Sequence, residues 1–148
     1  MEFSTERLRV WVPEVDEAPR LVDYYERNRE HLQRWEPIRP GTFYTEEFWI
    51  PQLRQNLKDS SQGLSYRMVF GRADSSARDP IMGILNIFNV IRGAFQAAHV
   101  GYSVDSSHTR QGFMTEALVG ATEFAFEELG LHRLMANYIP SNAASAGV

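Results

Sequence analysis

Three strand-like segments follow one another between Tyr66 and Val104, joined by connections too short to hold a helix. Tyr66, Met68 and Phe70 recur at every second position, the period of a strand with one buried face. Ala73–Pro80 is rich in Ser and Asp and reads as a turn. Ile81–Val90 is a second, more apolar strand carrying Gly83, Ile91-Arg92-Gly93 turns the chain, and Ala97–Val104 is a third strand. Short connections join antiparallel neighbours. An antiparallel meander is therefore predicted, and the remaining segments have to pack on it.

Helical periods lie on both sides of the meander. Leu8–Val12 alternates and stops at Pro13, a short first strand. A helix starting at Glu14 or Asp16 runs to about Asn28, with Ala18, Leu21, Val22 and Tyr25 on one face. Glu30–Trp35 is a second helical piece, and Trp35–Gly41, with two prolines, is a loop. Thr45 caps a helix that ends near Ser60, and Pro51 inside it predicts a kink or a later start. After the meander, Phe113, Ala117, Ala121 and Phe124 form an apolar stripe on a helix from Gly112 to Leu129, which Gly130 is placed to end. His132–Ile139 is a final strand, so strand, helix and strand make a crossover packed on the sheet. The whole chain, residues 1–148, reads as one domain.

Composition removes several classes of function. The net charge is −4, which argues against a general nucleic-acid binder and predicts no direct nucleic-acid partner. There are no cysteines, so disulfide scaffolds, thiolate metal sites and cysteine nucleophiles are excluded. His31, His99, His108 and His132 lack metal-ligand spacing, and no metal is predicted. No apolar run approaches the roughly 18 residues that span a bilayer. The acidic start, Met1–Glu6, lacks signal-peptide order. A cytoplasmic protein without a membrane partner is expected.

The segment Tyr102–Glu116 takes a strand through a polar turn into the long helix, with Gly112 at its mouth. The first N–H groups of a helix lack internal partners, and the helix dipole is positive there. Such a turn suits a bound diphosphate, and Arg110 adds a cation beside it. A lone Gly at a helix start also has a plainer role in the turn, and neither a Walker nor a Rossmann fingerprint is present.

Gln111-Gly112-Phe113-Met114-Thr115-Glu116-Ala117-Leu118 resembles the pyrophosphate loop of GNAT acetyltransferases. Gly101-Tyr102-Ser103-Val104, His132–Asn142 and Glu6–Val10 add to the likeness, which is nearest to the RimJ/RimL group of ribosomal-protein-alanine N-acetyltransferases and covers nearly the whole chain. Two positions depart from the family pattern: Thr109 stands where Gln or Arg is usual, and Arg110 where Gly is frequent. The family also continues past Ala143–Ser145 into a further helix and strands. A fragment, completion by a second polypeptide or an incomplete sequence are the arrangements this suggests, with an exposed strand edge beside His132–Ile139, and an intertwined homo-oligomer is a further one.

The resemblance implies an α/β (α+β) fold of the GNAT acyl-CoA N-acyltransferase type, a mixed, mostly antiparallel sheet flanked by helices. It implies acetyl-CoA as acyl donor and an amine acceptor, a ribosomal protein or peptide N-terminus with Ala or Ser first. A small-molecule amine (an antibiotic or polyamine) and an acyl-CoA-binding module with little transfer are the alternatives. Cofactor contacts carried over from the family are Tyr102, Ser103 and Val104 for the pantetheine arm, Thr109, Arg110, Gln111, Gly112, Phe113, Met114 and Thr115 for the pyrophosphate, and Asn137 and Asn142 at the last strand. Direct attack of an amine on the thioester needs a base, an oxyanion donor and an acid for the thiolate. Glu36, in the loop that lines the acceptor cleft of the group, and His99 are the candidate bases, and Ser145 is the candidate acid. Trp35, Phe43, Tyr44 and Trp49 cluster around that loop, either as a cleft or as core.

Overall fold

A computed structural model describes residues 2–34, 36–76 and 78–136. Six strands form one sheet in chain order: β1 (Glu2–Ser4), β2 (Leu8–Trp11), β3 (Tyr66–Arg72), β4 (Gly83–Ile91), β5 (Ala97–Val104) and β6 (Arg133–Met135). The predicted meander is present, with Met68 opposite Leu85 and Leu85 opposite Tyr102. Every pairing is antiparallel except β5 with β6, which is parallel and follows the crossover helix. The order and the mixed sheet match the expected α/β class.

Alternation along the strands divides the apolar residues between two layers. Leu8, Val10, Tyr66, Met68, Phe70, Leu85, Ile87, Ala98 and Val100 face α4 (Phe113–Glu127). The α4 stripe buries Phe113, Ala117, Ala121 and Phe124 against them. Burying a Phe of this kind contributes about 1.5–3 kcal/mol. Trp11, Val69 and Ile84 face the other way, toward α1 (Ala18–Arg27) and α3 (Glu46–Ser61), which supply Leu21, Tyr24, Tyr25, Trp49 and Leu53. Between these helices lies the short α2 (Arg29–Gln33).

Several boundaries differ from expectation. The helix predicted from Glu14 or Asp16 is broken: Val15–Glu17 forms a 3-10 turn closed by a reciprocal Glu14–Glu17 capping box, and α1 begins at Ala18 with Pro19 in its first turn. Pro19 is tolerated there because first-turn N–H groups have no helical acceptor. β4 begins at Gly83, while Ile81 and Met82 are buried loop residues, and Met82 joins β3 to Asp105 by donating to the Phe70 carbonyl and accepting from the Asp105 N–H. α3 starts at Glu46 in spite of Pro51, and Thr45 caps it by accepting from the Phe48 N–H at 3.3 Å. β1 was not foreseen: two of its three residues are exposed, so it carries almost no apolar pattern. The last predicted strand is seen from Arg133 to Met135, and its end at Asn137–Ile139 lies outside the described residues.

Candidate functional site

The connection from β5 to α4 is the segment singled out in the sequence. Asp105 caps a 3-10 turn, Ser106–His108, by accepting from the Ser107 N–H at 3.0 Å. The chain then turns through two left-handed residues, Arg110 at φ 61° and Gly112 at φ 79°. Gly112 meets this requirement without strain, whereas Arg110 carries a side chain in a conformation that L-residues rarely adopt. Gly112 is the N-cap of α4 and contributes no capping side chain. The first-turn N–H groups of Phe113, Met114 and Thr115 therefore face outward with the positive end of a 15-residue helix behind them.

A brace from α1 fixes the start of this loop. Asp105 is only 3% exposed, and its carboxylate accepts from both the N–H and the hydroxyl of Ser107 and from the Arg27 guanidinium. Burial alone raises the pKa of this carboxyl, but the Ser107 and Arg27 hydrogen bonds outweigh it and hold the group below its ordinary value. Arg27 also donates to the Ile81 carbonyl at 3.1 Å. Asn28, fully buried between α1 and α2, accepts from the Ser106 N–H at 2.9 Å. The Tyr24 hydroxyl and the Ser103 hydroxyl are 2.8 Å apart.

A second clamp holds the helix mouth. Glu116, in the first turn of α4, accepts from the Arg7 N–H at 2.8 Å, from Arg7 Nε at 2.6 Å and from the Thr5 hydroxyl. Burial works to raise its pKa, and these Thr5 and Arg7 donors reverse the direction. Arg7 Nη1 donates to the Gln111 carbonyl at 3.3 Å, and the guanidinium lies 4.3 Å from the Phe113 ring centre. Arg72 lies 5.1 Å from the same ring. Arg7 and Arg72 thus lie over the Phe113 ring at the uncapped helix end, and the exposed Arg110 precedes Gly112 by two residues, an arrangement that suits an anion such as a diphosphate. Arg7 and Arg72 were not singled out by sequence reasoning. Arg7, in the turn between β1 and β2, and Arg72, at the end of β3, reach α4 only through the fold, and the sole hint was the Glu6–Val10 likeness.

The predicted contact residues divide by role. Phe113 and Met114 bury their side chains in the core, so only their backbone faces the loop. Gln111 turns back to the Ser107 carbonyl at 3.1 Å, and Thr109 to the Ser106 carbonyl at 3.3 Å. Thr115 is exposed. Tyr102 and Val104 pack on the α4 side, while Ser103 faces α1. The β5–β6 registers are Ala97 with Arg133, Ala98 with Leu134 and His99 with Met135, so Tyr102, Ser103 and Val104 run on beyond the described β6. His132 donates its N–H to the Gln96 carbonyl at 2.7 Å and so joins the start of β6 to the start of β5, while the turn after α4 is closed by the Leu131 N–H donating to the Ala125 carbonyl at 3.0 Å. Asn137, Asn142 and Ser145 lie outside the described residues.

On the α1 side of β5, His99 is half-buried with its ring stacked against Phe88, and its Nδ1 is buried with no hydrogen bond among the described residues. Glu36 lines a small hollow with Tyr25, Arg29, Arg39 and Tyr44, and Arg39 Nη2 approaches its carboxylate at 3.5 Å. Burial raises the Glu36 pKa, against a lowering by Arg39. Glu36 adds to the field at the buried Tyr24 hydroxyl, which reaches β5 through Ser103. Glu36 therefore lies on the side of the sheet to which Ser103 and His99 of β5 point. Phe43 and Trp49 are core residues, 5% and 7% exposed, while Tyr44 borders the hollow. Among the described residues no group of three or more His, Asp or Glu side chains could hold a metal ion, and no helix is long and apolar enough to cross a membrane. A larger hollow, lined by Glu2, Arg9, Trp11, Glu17 and Arg20, sits at the opposite edge of the sheet, and its charges pair with one another.

Residues 7–148 match the family described as "Acetyltransferase (GNAT) domain". The chain is 35% identical over 145 residues to a [Ribosomal protein uS5]-alanine N-acetyltransferase of Escherichia coli, covering 98% of this chain and 73% of that protein. It is 32% identical over 136 residues to a probable N-acetyltransferase, YjcK, of Bacillus subtilis, covering 91% and 73%. The solved structure of ribosomal-protein-S5-alanine acetyltransferase from Vibrio fischeri superposes with a TM-score of 0.91 at 34% identity, covering 99% of this chain and 79% of that one. The family match, the six-strand order and the loop geometry lead to one conclusion: the chain belongs to the GNAT family and is an acetyltransferase whose acyl donor is acetyl-CoA.

Proposed function

We propose that the protein transfers the acetyl group of acetyl-CoA to the α-amine of a protein N-terminus, with alanine first, in the cytoplasm. The observation that carries this reading is the uncapped mouth of α4 behind Gly112, with Arg7 on the Gln111 carbonyl, Arg72 beside Phe113 and Arg110 two residues before Gly112. The N–H groups of Gln111–Thr115 and the three guanidiniums hold the pyrophosphate. Tyr102, Ser103 and Val104, beyond the last β6 register, line the pantetheine arm, with Asn137 and Asn142 as its further contacts. The alanine acceptor is supported by the identity to the uS5-alanine enzyme and by the length over which it extends.

The acceptor approaches from the α1 side of β5. Its nitrogen lone pair attacks the thioester carbonyl, the C–S bond breaks, and the amide C–N bond forms. Glu36 takes the proton lost by the ammonium, directly or through one water. A carboxyl whose burial raises its pKa is a stronger base than an exposed one. His99, with an unpartnered buried Nδ1 on the same strand face, is the second group able to take that proton. The second proton, lost from the nitrogen as the amide forms, is relayed through the Ser145 hydroxyl to the departing thiolate.

Mass spectrometry of peptides incubated with the protein and acetyl-CoA tests this directly. One acetyl group on the α-amine of Ala-first peptides is expected, with lysine side chains unmodified. Acetyl-CoA binding without transfer to any peptide would point instead to a binding module, and transfer only to small amines would replace the acceptor.

A further inference from the structure

Arg67, Phe88 and His99 occupy three adjacent strands on the face that carries the acceptor side. The register sets Arg67 opposite Asn86 on β4 and Phe88 opposite His99 on β5. Each alternates with a residue of the α4-facing core, so all three point toward α1. All are half-buried, and they form a strip that the helices leave partly open. The Arg67 guanidinium lies 4.9 Å from the Phe88 ring centre. Among the described residues it makes no ion pair and no side-chain hydrogen bond. Asp59 acts on it only from a distance. Burial weakens its hold on its proton by stripping water from the charged form.

A half-buried guanidinium carries five N–H donors in a planar fork that matches a carboxylate. A ring face compensates part of the lost hydration but accepts none of these donors conventionally. The same strip holds the unpartnered Nδ1 of His99. Two polar groups with unmet hydrogen-bonding capacity, on either side of the Phe88 ring along one half-buried sheet face, mark a surface completed by a ligand. Both Arg67 and Glu36 act electrostatically on the Tyr25 hydroxyl, so the strip and the proposed base flank one side chain.

We propose that Arg67 is a specificity-determining residue which receives a carboxylate carried by the acceptor close behind its reactive amine. This rests on the reading above that the acceptor lies on the α1 side of β5. A single guanidinium with Asp59 nearby favours one negative charge over a dianion. The ring of Phe88 beneath the fork sets its plane, so the preference depends on geometry as well as on charge.

The test uses Ala-first peptides with Glu at one of the next few positions, each with a Gln twin. Binding to the protein is measured calorimetrically in the presence of CoA, which cannot react, and acetyl transfer is measured separately. The wild-type protein is expected to prefer the Glu peptide at one position by roughly tenfold. That ratio falls to about one in Arg67→Gln and is intermediate in Arg67→Lys, which keeps the charge and loses the fork. Thermal unfolding checks that both variants fold, and Arg67→Lys suffices if the other does not. Equal affinity for the twins, or a preference that both variants retain, overturns the assignment. Transfer is read independently: a preference dependent on Arg67 without acetylation would leave Arg67 assigned and remove the transferase reading.

Discussion

Asp105 and Glu36 are carboxylates that the fold treats in opposite ways. The hydrogen bonds from Ser107 and Arg27 hold Asp105 below its ordinary pKa in spite of burial. A depressed folded pKa contributes stability that is present above the unfolded value and disappears as pH falls through the folded one. Asp105→Asn is therefore expected to cost about 2–3 kcal/mol near neutral pH, because Arg27 loses its buried partner. In urea unfolding this difference should shrink as the solution is acidified. Glu36 is pushed up by burial, so its protonated form is the stabilised one, and that contribution fades as pH rises through the raised value. Glu36→Gln should accordingly fold at least as stably as wild type at neutral pH. As a missing base, it should lower kcat/KM by about 100-fold and remove the acid limb of the pH–rate profile. A variant retaining both rate and limb would pass the role to His99.

At the scale of elements, the N-terminal hairpin and α4 depend on each other. A Cβ at Gly120 would come within 2.7 Å of Thr5 Cγ2 and 2.8 Å of the Phe3 ring, so the missing side chain is what admits β1 against the helix. Gly120→Val should cost about 1–3 kcal/mol by overpacking. Because Thr5 and Arg7 reach Glu116 from the same hairpin, the variant should also weaken acetyl-CoA binding. Calorimetry alongside unfolding would show both losses, and a stable variant with unchanged affinity would separate the hairpin from the site. Much of this level was legible in the sequence. The meander, α3 with its Thr45 cap and the α4 stripe are local patterns of period two or 3.6, and they formed where expected. β1 was not legible because it is short and mostly exposed. The contacts of Arg7 with Glu116 and of Arg27 with Asp105 join residues far apart in the chain, and no local period encodes them.

Across the whole molecule, one sheet separates two tasks. The α4 side buries the main core and presents the helix mouth with its cations, while the α1 side carries the half-buried polar strip beside Glu36. The loop was readable in the sequence because Gly112 combines a strand exit with a helix entrance, and its left-handed φ gives that reading a physical basis. The direction of His99 and the openness of Arg67 were not readable, since they depend on which sheet face the helices leave uncovered. The central claim is that acetyl-CoA binds at this mouth, and a thermal-unfolding titration with acetyl-CoA tests it most directly. Filling the site at 100 times its dissociation constant should add roughly 2.7 kcal/mol of stability to the wild-type chain. The gain should be largely lost in Gly112→Val, whose folded state is checked separately, because a β-branched residue does not adopt the left-handed turn without strain. A saturable rise confined to the wild type is the predicted result; no rise in a folded wild-type chain, or an equal rise in both proteins, would contradict the account.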